Sequence, residues 1–145
     1  DVYRPGIGSL LAARAEQGIE HLLVVEGDAR VVVERLFGPG SVGEVRIFFP
    51  DPWPKKRHHK RRLVSAPFVS LLASRLVPGG RLRLATDWED YANWMLEVLA
   101  AEDALVNEAG AGFAERFAAR NVTRFEARGH RLGHQVWDLS YRKRA

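Results

Sequence analysis

Short apolar runs alternate with helix-length segments along most of the chain, and this alternation limits the possible folds more than any other feature. Residues 21–25 and 44–49 are rich in β-branched or aromatic side chains and bounded by Gly, Asp or Pro, as buried strands are. Residues 81–85 alternate apolar and basic positions after the Gly79-Gly80 turn. Residues 8–17, 29–37, 63–76 and 88–101 have helical length, and 63–76 repeat Leu, Val and Phe at helical spacing. Strands alternating with helices predict a Rossmann-like, doubly wound α/β domain: a mostly parallel sheet, right-handed crossovers, helices on both faces. Residues 123–126 and 135–141 are expected as two further strands, paired antiparallel at the C-terminal edge of the sheet, with a mobile Gly/Ala-rich loop at 109–114. The chain reads as a single domain, residues 1–145, that begins inside its fold, with the start of its first strand lying before Asp1.

A chain of 145 residues, 46% hydrophobic and 28% charged, can close one core. Without cysteine it has no disulfide, thiolate metal site or cysteine nucleophile. No apolar run approaches the roughly 18 residues that cross a bilayer, and the start carries no export signal, so a cytoplasmic protein without a membrane partner is expected. His130 and His134 have the spacing of a helical metal pair, but Gly129 and Gly133 oppose a helix and no third ligand is apparent, so no metal is expected. Oligomeric state is left open.

Four successive predicted strands are closed or followed by an acid. Asp1 would close a strand, Asp28 follows residues 21–25, Asp51 follows 44–49 and Asp87 follows 81–85. Any one of them could simply cap the next helix. Ligands of open α/β sheets bind beyond the C-terminal strand ends, so four carboxylates in register predict a shared crevice, with Asp1 placed to accept hydrogen bonds from a ribose diol. Asp51 stands between two prolines, and Pro52 holds it extended in a stiff loop.

The net charge of +4 matters because it is concentrated: between Pro50 and Arg62 lie six Lys or Arg, two His and one acid. Arg116, Arg120, Arg124, Arg128, Arg131, Arg142, Lys143 and Arg144 add a second basic region. Cations beside a crevice suit a phosphate backbone. Trp53 is the aromatic candidate for stacking near a target base, whereas Trp88, Trp94 and Trp137 are expected in the core.

Phe49-Pro50-Asp51-Pro52-Trp53, followed by Lys55, Arg57, His58, Lys60, Arg61 and Arg62, resembles the signature of bacterial tRNA (guanine-N7-)-methyltransferases, a class I S-adenosylmethionine-dependent family. Asp1-Val2-Tyr3-Arg4-Pro5-Gly6-Ile7-Gly8, Asp28-Ala29, Thr86-Asp87-Trp88, Thr123-Arg124-Phe125-Glu126, Arg128-Gly129-His130-Arg131-Leu132-Gly133-His134 and Val136-Trp137-Asp138-Leu139 extend the resemblance over nearly the whole chain. It implies transfer of a methyl group from S-adenosyl-L-methionine to guanine N7 in tRNA, in the variable loop. Asp1, Asp28 and Asp51 would bind cofactor, with Asp51 catalytic. Lys55, Asp87, Thr123, Arg124, Phe125 and Glu126 would contact substrate, with Asp87 and Glu126 reading the base edge. Arg57, His58, His59, Lys60, Arg61 and Arg62 would hold RNA. Two other readings compete: another nucleotide-cofactor α/β enzyme, and a non-catalytic RNA-binding module.

Overall fold

The computed structural model describes residues 4–131 and 133–145. The chain divides into two compact units, Asp1–Gly38 and Pro39–Ala145. The first holds helices α1 (Arg4–Glu16) and α2 (Ala29–Leu36), neither with a buried residue. Asp28 caps α2, its Oδ1 accepting the Arg30 N–H at 2.9 Å. Residues 21–25, predicted as a strand, form none: the ladders of the sheet are all made in the second unit, and Leu23 is 85% exposed. Apolar composition alone does not make a strand, which also needs a ladder of backbone hydrogen bonds to a paired neighbour.

The second unit contains β1 (Val42–Phe48), a 3₁₀ helix (Lys56–Arg61), α3 (Ala66–Arg75), β2 (Leu76–Thr86), α4 (Glu89–Ala100), β3 (Leu105–Asn107), α5 (Arg124–Arg131) and β4 (Trp137–Lys143). The sheet order is β1-β2-β4-β3. β1 and β2 pair parallel, while β4 pairs antiparallel with both β2 and β3, so three strands run one way and β4 runs against them. The expected antiparallel edge is present, but its members differ. Residues 123–126 enter α5, with Thr123 Oγ1 accepting the Glu126 N–H at 3.1 Å as a helix cap, and the strand beside β4 is the unforeseen β3.

Register places Val45, Ile47, Leu82, Leu84, Leu139 and Tyr141 on one face of the sheet. The last four are buried there with Phe68, Val69 and Leu72 of α3 and Tyr91, Met95 and Leu99 of α4. Each large apolar side chain so buried contributes about 1.5–3 kcal/mol. The opposite face carries charge: Glu44 pairs with Arg46 and Arg83, and Arg81 pairs with Glu108. Towards the C-terminal end of β1 this face changes to Phe48, Ala85 and Asp138. At Gly80 a Cβ would stand 2.9 Å from the Val77 carbonyl oxygen and 3.0 Å from that of Gly43, so β2 can meet β1 there only with glycine.

Candidate active site

Beyond β1 the backbone is strained on both sides of Asp51. Phe49 has φ 53° and Trp53 φ 46°, left-handed conformations that bulky residues avoid at a cost of roughly 1–3 kcal/mol each. Three hydrogen bonds compensate. The Phe49 N–H donates to the Ala85 carbonyl at 2.8 Å, the Trp53 N–H to Asp51 Oδ1 at 3.1 Å, and Arg62 Nε to the Pro52 carbonyl at 2.9 Å. Asp51 itself is exposed, with its carboxylate turned back onto the loop. The prolines foretold stiffness; the strain at Phe49 and Trp53 was not legible, because neither residue type announces a positive φ.

Beside this loop lies a cavity of about 460 Å³ lined by Phe49, Pro50, Pro52, Asp87, Trp88, Glu89, His134, Gln135 and Trp137. It stands where β1 and β2 end and β4 begins, the position that the strand-end rule selects. The two prolines flanking Asp51 and the carboxylate-bearing Asp87 therefore share one concavity. Trp88, expected in the core, is instead 42% exposed on its wall, because it precedes α4 and its N–H is taken by Thr86 Oγ1 at 3.2 Å. Aromatic walls with two carboxylates, Asp87 and Glu89, suit a planar base bearing N–H donors.

The basic run leaves this loop as a 3₁₀ helix, with Lys55 at its N-cap. Lys55, Lys56, Arg57, Lys60 and Arg61 are exposed, and the Arg61 guanidinium lies 4.9 Å from the Trp53 ring centroid. His58 meets the edge of Trp53 at 5.8 Å and His59 that of Trp94 at 5.9 Å, so both imidazoles are partly packed. Arg62 departs from the expected RNA surface: its side chain is 1% exposed, pairs with Asp90 and lies over the rings of Tyr91 and Trp94. Arg62 lowers the Asp90 pKa through a hydrogen bond, against the opposing effect of desolvation.

Glu126, expected at a base edge, is also turned inward. It is 2% exposed and held by Arg120 Nη1 at 2.6 Å. Arg120 grips Asp138 with two further donors, at 3.2 and 3.0 Å, and lies over Phe48 and Phe49 at 5.6 and 5.4 Å. Burial pushes the Glu126 carboxyl up, but the Arg120 hydrogen bond and charge, aided by Arg116, outweigh it and leave the pKa lowered. Arg120 therefore leaves the set of expected polyanion contacts: two carboxylates already neutralise it. Thr123 is exposed, and Arg124 and Phe125 lie in the first turn of α5.

Asp1 lies outside the described residues. Asp28 belongs to the first unit, where Arg30 holds both its oxygens and lowers its pKa through side-chain and backbone hydrogen bonds. Among the described residues no group of three or more His, Asp or Glu could hold a metal ion, and no helix is long and apolar enough to cross a membrane.

Residues 1–139 match a family profile described as "Putative methyltransferase". The chain belongs to this methyltransferase family. It is 54% identical over 145 residues to a Burkholderia cenocepacia protein named tRNA (guanine-N(7)-)-methyltransferase, a match covering 100% of this chain and 56% of that protein. A Bordetella pertussis protein of the same name is 55% identical over 143 residues, covering 99% of this chain and 56% of its own length. The chain thus spans little more than half the length of these curated relatives. Among solved structures, an rRNA methylase from Streptococcus thermophilus superposes with a TM-score of 0.65 at 14% identity, over 100% of this chain and 71% of its own. At that identity the likeness shows the methyltransferase fold.

Proposed function

We propose that the protein transfers a methyl group from S-adenosyl-L-methionine to N7 of a guanine in tRNA, in the variable loop, and that it acts in the cytoplasm. One observation carries the reading: a strained loop holds Asp51 between two prolines that line an aromatic-walled cavity, and leads directly into an exposed run of cations. The names of the B. cenocepacia and B. pertussis relatives support it. Both units are taken as parts of one catalytic domain.

The cofactor supplies an electrophilic methyl group on a sulfonium centre. Asp1, Asp28 and Asp51 are the carboxylates assigned to the cofactor by the family resemblance, each an acceptor for its hydrogen-bond donors. Guanine N7 already exposes a lone pair, so no general base is needed. The chain must align the base and stabilise positive charge as it develops on the purine. Asp51 does the second. Asp87 accepts from the guanine N1 and N2 donors in a cavity that Trp88 and Trp137 also line. Lys55 and the Thr123, Arg124, Phe125 element approach the substrate, and Arg57, His58, His59, Lys60 and Arg61 track its phosphates. Glu126 serves them by holding Arg120.

Incubating the full-length protein with unmodified tRNA and methyl-labelled cofactor tests this: digestion should yield labelled 7-methylguanosine. Label in another nucleoside, or none, contradicts the proposal.

A further inference from the structure

Of the six cations between Lys55 and Arg62, only Arg62 is buried. Its Nε donates to the Pro52 carbonyl at 2.9 Å. That carbonyl belongs to the same peptide group as the Trp53 N–H, which donates to Asp51 Oδ1 at 3.1 Å. A peptide group is planar, so a donor that fixes its oxygen also fixes the direction of its N–H. Drawing electron density toward the oxygen strengthens the N–H as a donor in turn. From the other side, Asp90 and the rings of Tyr91 and Trp94, at 4.8 and 5.2 Å, hold the guanidinium in place. Tyr91 and Trp94 are themselves pinned to Val64, whose N–H donates to the Tyr91 hydroxyl at 3.0 Å and whose carbonyl accepts from Trp94 Nε1 at 2.7 Å.

We propose that Arg62 is a positioning residue for Asp51, acting through the Pro52–Trp53 peptide. It ends the basic run yet takes no part in gripping RNA. Trp53, left-handed at φ 46°, needs such an anchor, because nothing intrinsic to tryptophan favours that conformation. Lysine cannot replace it, since a single ammonium cannot meet the Pro52 carbonyl and Asp90 while presenting a flat face to two rings.

The inference deepens the methyltransferase reading and rests on it for its kinetic arm alone. Independently of activity, amide exchange of the full-length protein reads the Trp53 N–H directly. Arg62→Met and Arg62→Lys should both speed exchange at Trp53 by about tenfold or more while the Leu84 amide in β2 is unchanged. Unchanged Trp53 exchange, or equal acceleration at both sites, overturns the proposal. Asp90→Asn provides a milder probe of the same link, since the amide oxygen can still accept from Arg62 Nη2 although the countercharge is gone. It should speed Trp53 exchange by a smaller factor, and no change contradicts the chain of contacts.

The kinetic arm is a double-mutant cycle. Arg62→Met should lower kcat about tenfold or more in the unsubstituted protein and leave it nearly unchanged in an Asp51→Asn background, because its effect passes through Asp51. Equal losses in both backgrounds mean a general structural role and refute the proposal. A flatter salt dependence of tRNA binding in Arg62→Met would return Arg62 to the RNA surface and refute it as well. Absence of methyl transfer by the unsubstituted protein would count against the enzymatic reading, and the amide result would then decide on Arg62.

Discussion

Arg62 and Arg120 are equally buried, with side chains 1% and 2% exposed, yet they are compensated in opposite ways. Arg120 meets two carboxylates, Glu126 at 0% and Asp138 at 7% exposure, so the ions neutralise one another out of water. Arg62 meets one carboxylate, Asp90, that is 62% exposed, and is otherwise held by aromatic faces and a backbone carbonyl. The first arrangement ties β4, α5 and the Phe48–Phe49 corner together through charge. The second orients a loop. Buried charge of one kind thus serves stability in one place and geometry in another, and the exposure of the partner carboxylate distinguishes them.

Arg120 is the more sensitive of the two to substitution. Arg120→Met would leave Glu126 and Asp138 buried without their cation and should cost about 3–5 kcal/mol of unfolding free energy, read from urea denaturation. Arg62→Met should cost less, about 1–3 kcal/mol, because Asp90 stays hydrated once its partner is gone. A larger loss at Arg62 than at Arg120 would reverse the assignment.

Acid sharpens it further. The folded pKa of Glu126 is lowered, so its contribution is complete above the ordinary carboxylate range, about 4.3, and is lost as pH falls from there through the folded value. Stability of the unsubstituted protein should fall through that window. Glu126→Gln should be less stable at neutral pH and show a shallower fall, measured by urea unfolding at stepped pH. An equally steep fall would mean that other carboxylates govern acid unfolding. The smallest stability effect is expected on the exposed run: replacing Arg57, Lys60 and Arg61 with Gln together should change unfolding free energy by no more than about 0.5 kcal/mol. The same triple variant should flatten the salt dependence of tRNA binding by roughly one unit per cation lost.

Where sequence succeeded and failed follows the range of the interactions involved. The Asp51 loop, its cations and the strand-end position of Asp87 are set by local residue order, and all three were legible. Arg62 and Arg61 look alike in sequence. What separates them is Asp90, Tyr91 and Trp94, some thirty residues on, which no local pattern ties to one arginine rather than its neighbour. Arg120 was misplaced for the same reason, since Asp138 lies 18 residues away. The α5 start was a different failure. Thr123 with Glu126 has the spacing of a capping box, a helix-start signal that the expectation of a strand over 123–126 leaves out.

On the proposed function, the carboxylate of Asp51, held on a strained loop, promotes methyl transfer to guanine. Single-turnover transfer by the full-length Asp51→Asn variant, with tRNA affinity measured on the same preparation, tests it most directly. The transfer rate should fall roughly 10²–10³-fold with affinity nearly unchanged, the scale on which losing one preorganised electrostatic group is felt. Transfer at the unsubstituted rate, or a loss matched by an equal loss of tRNA binding, would contradict it.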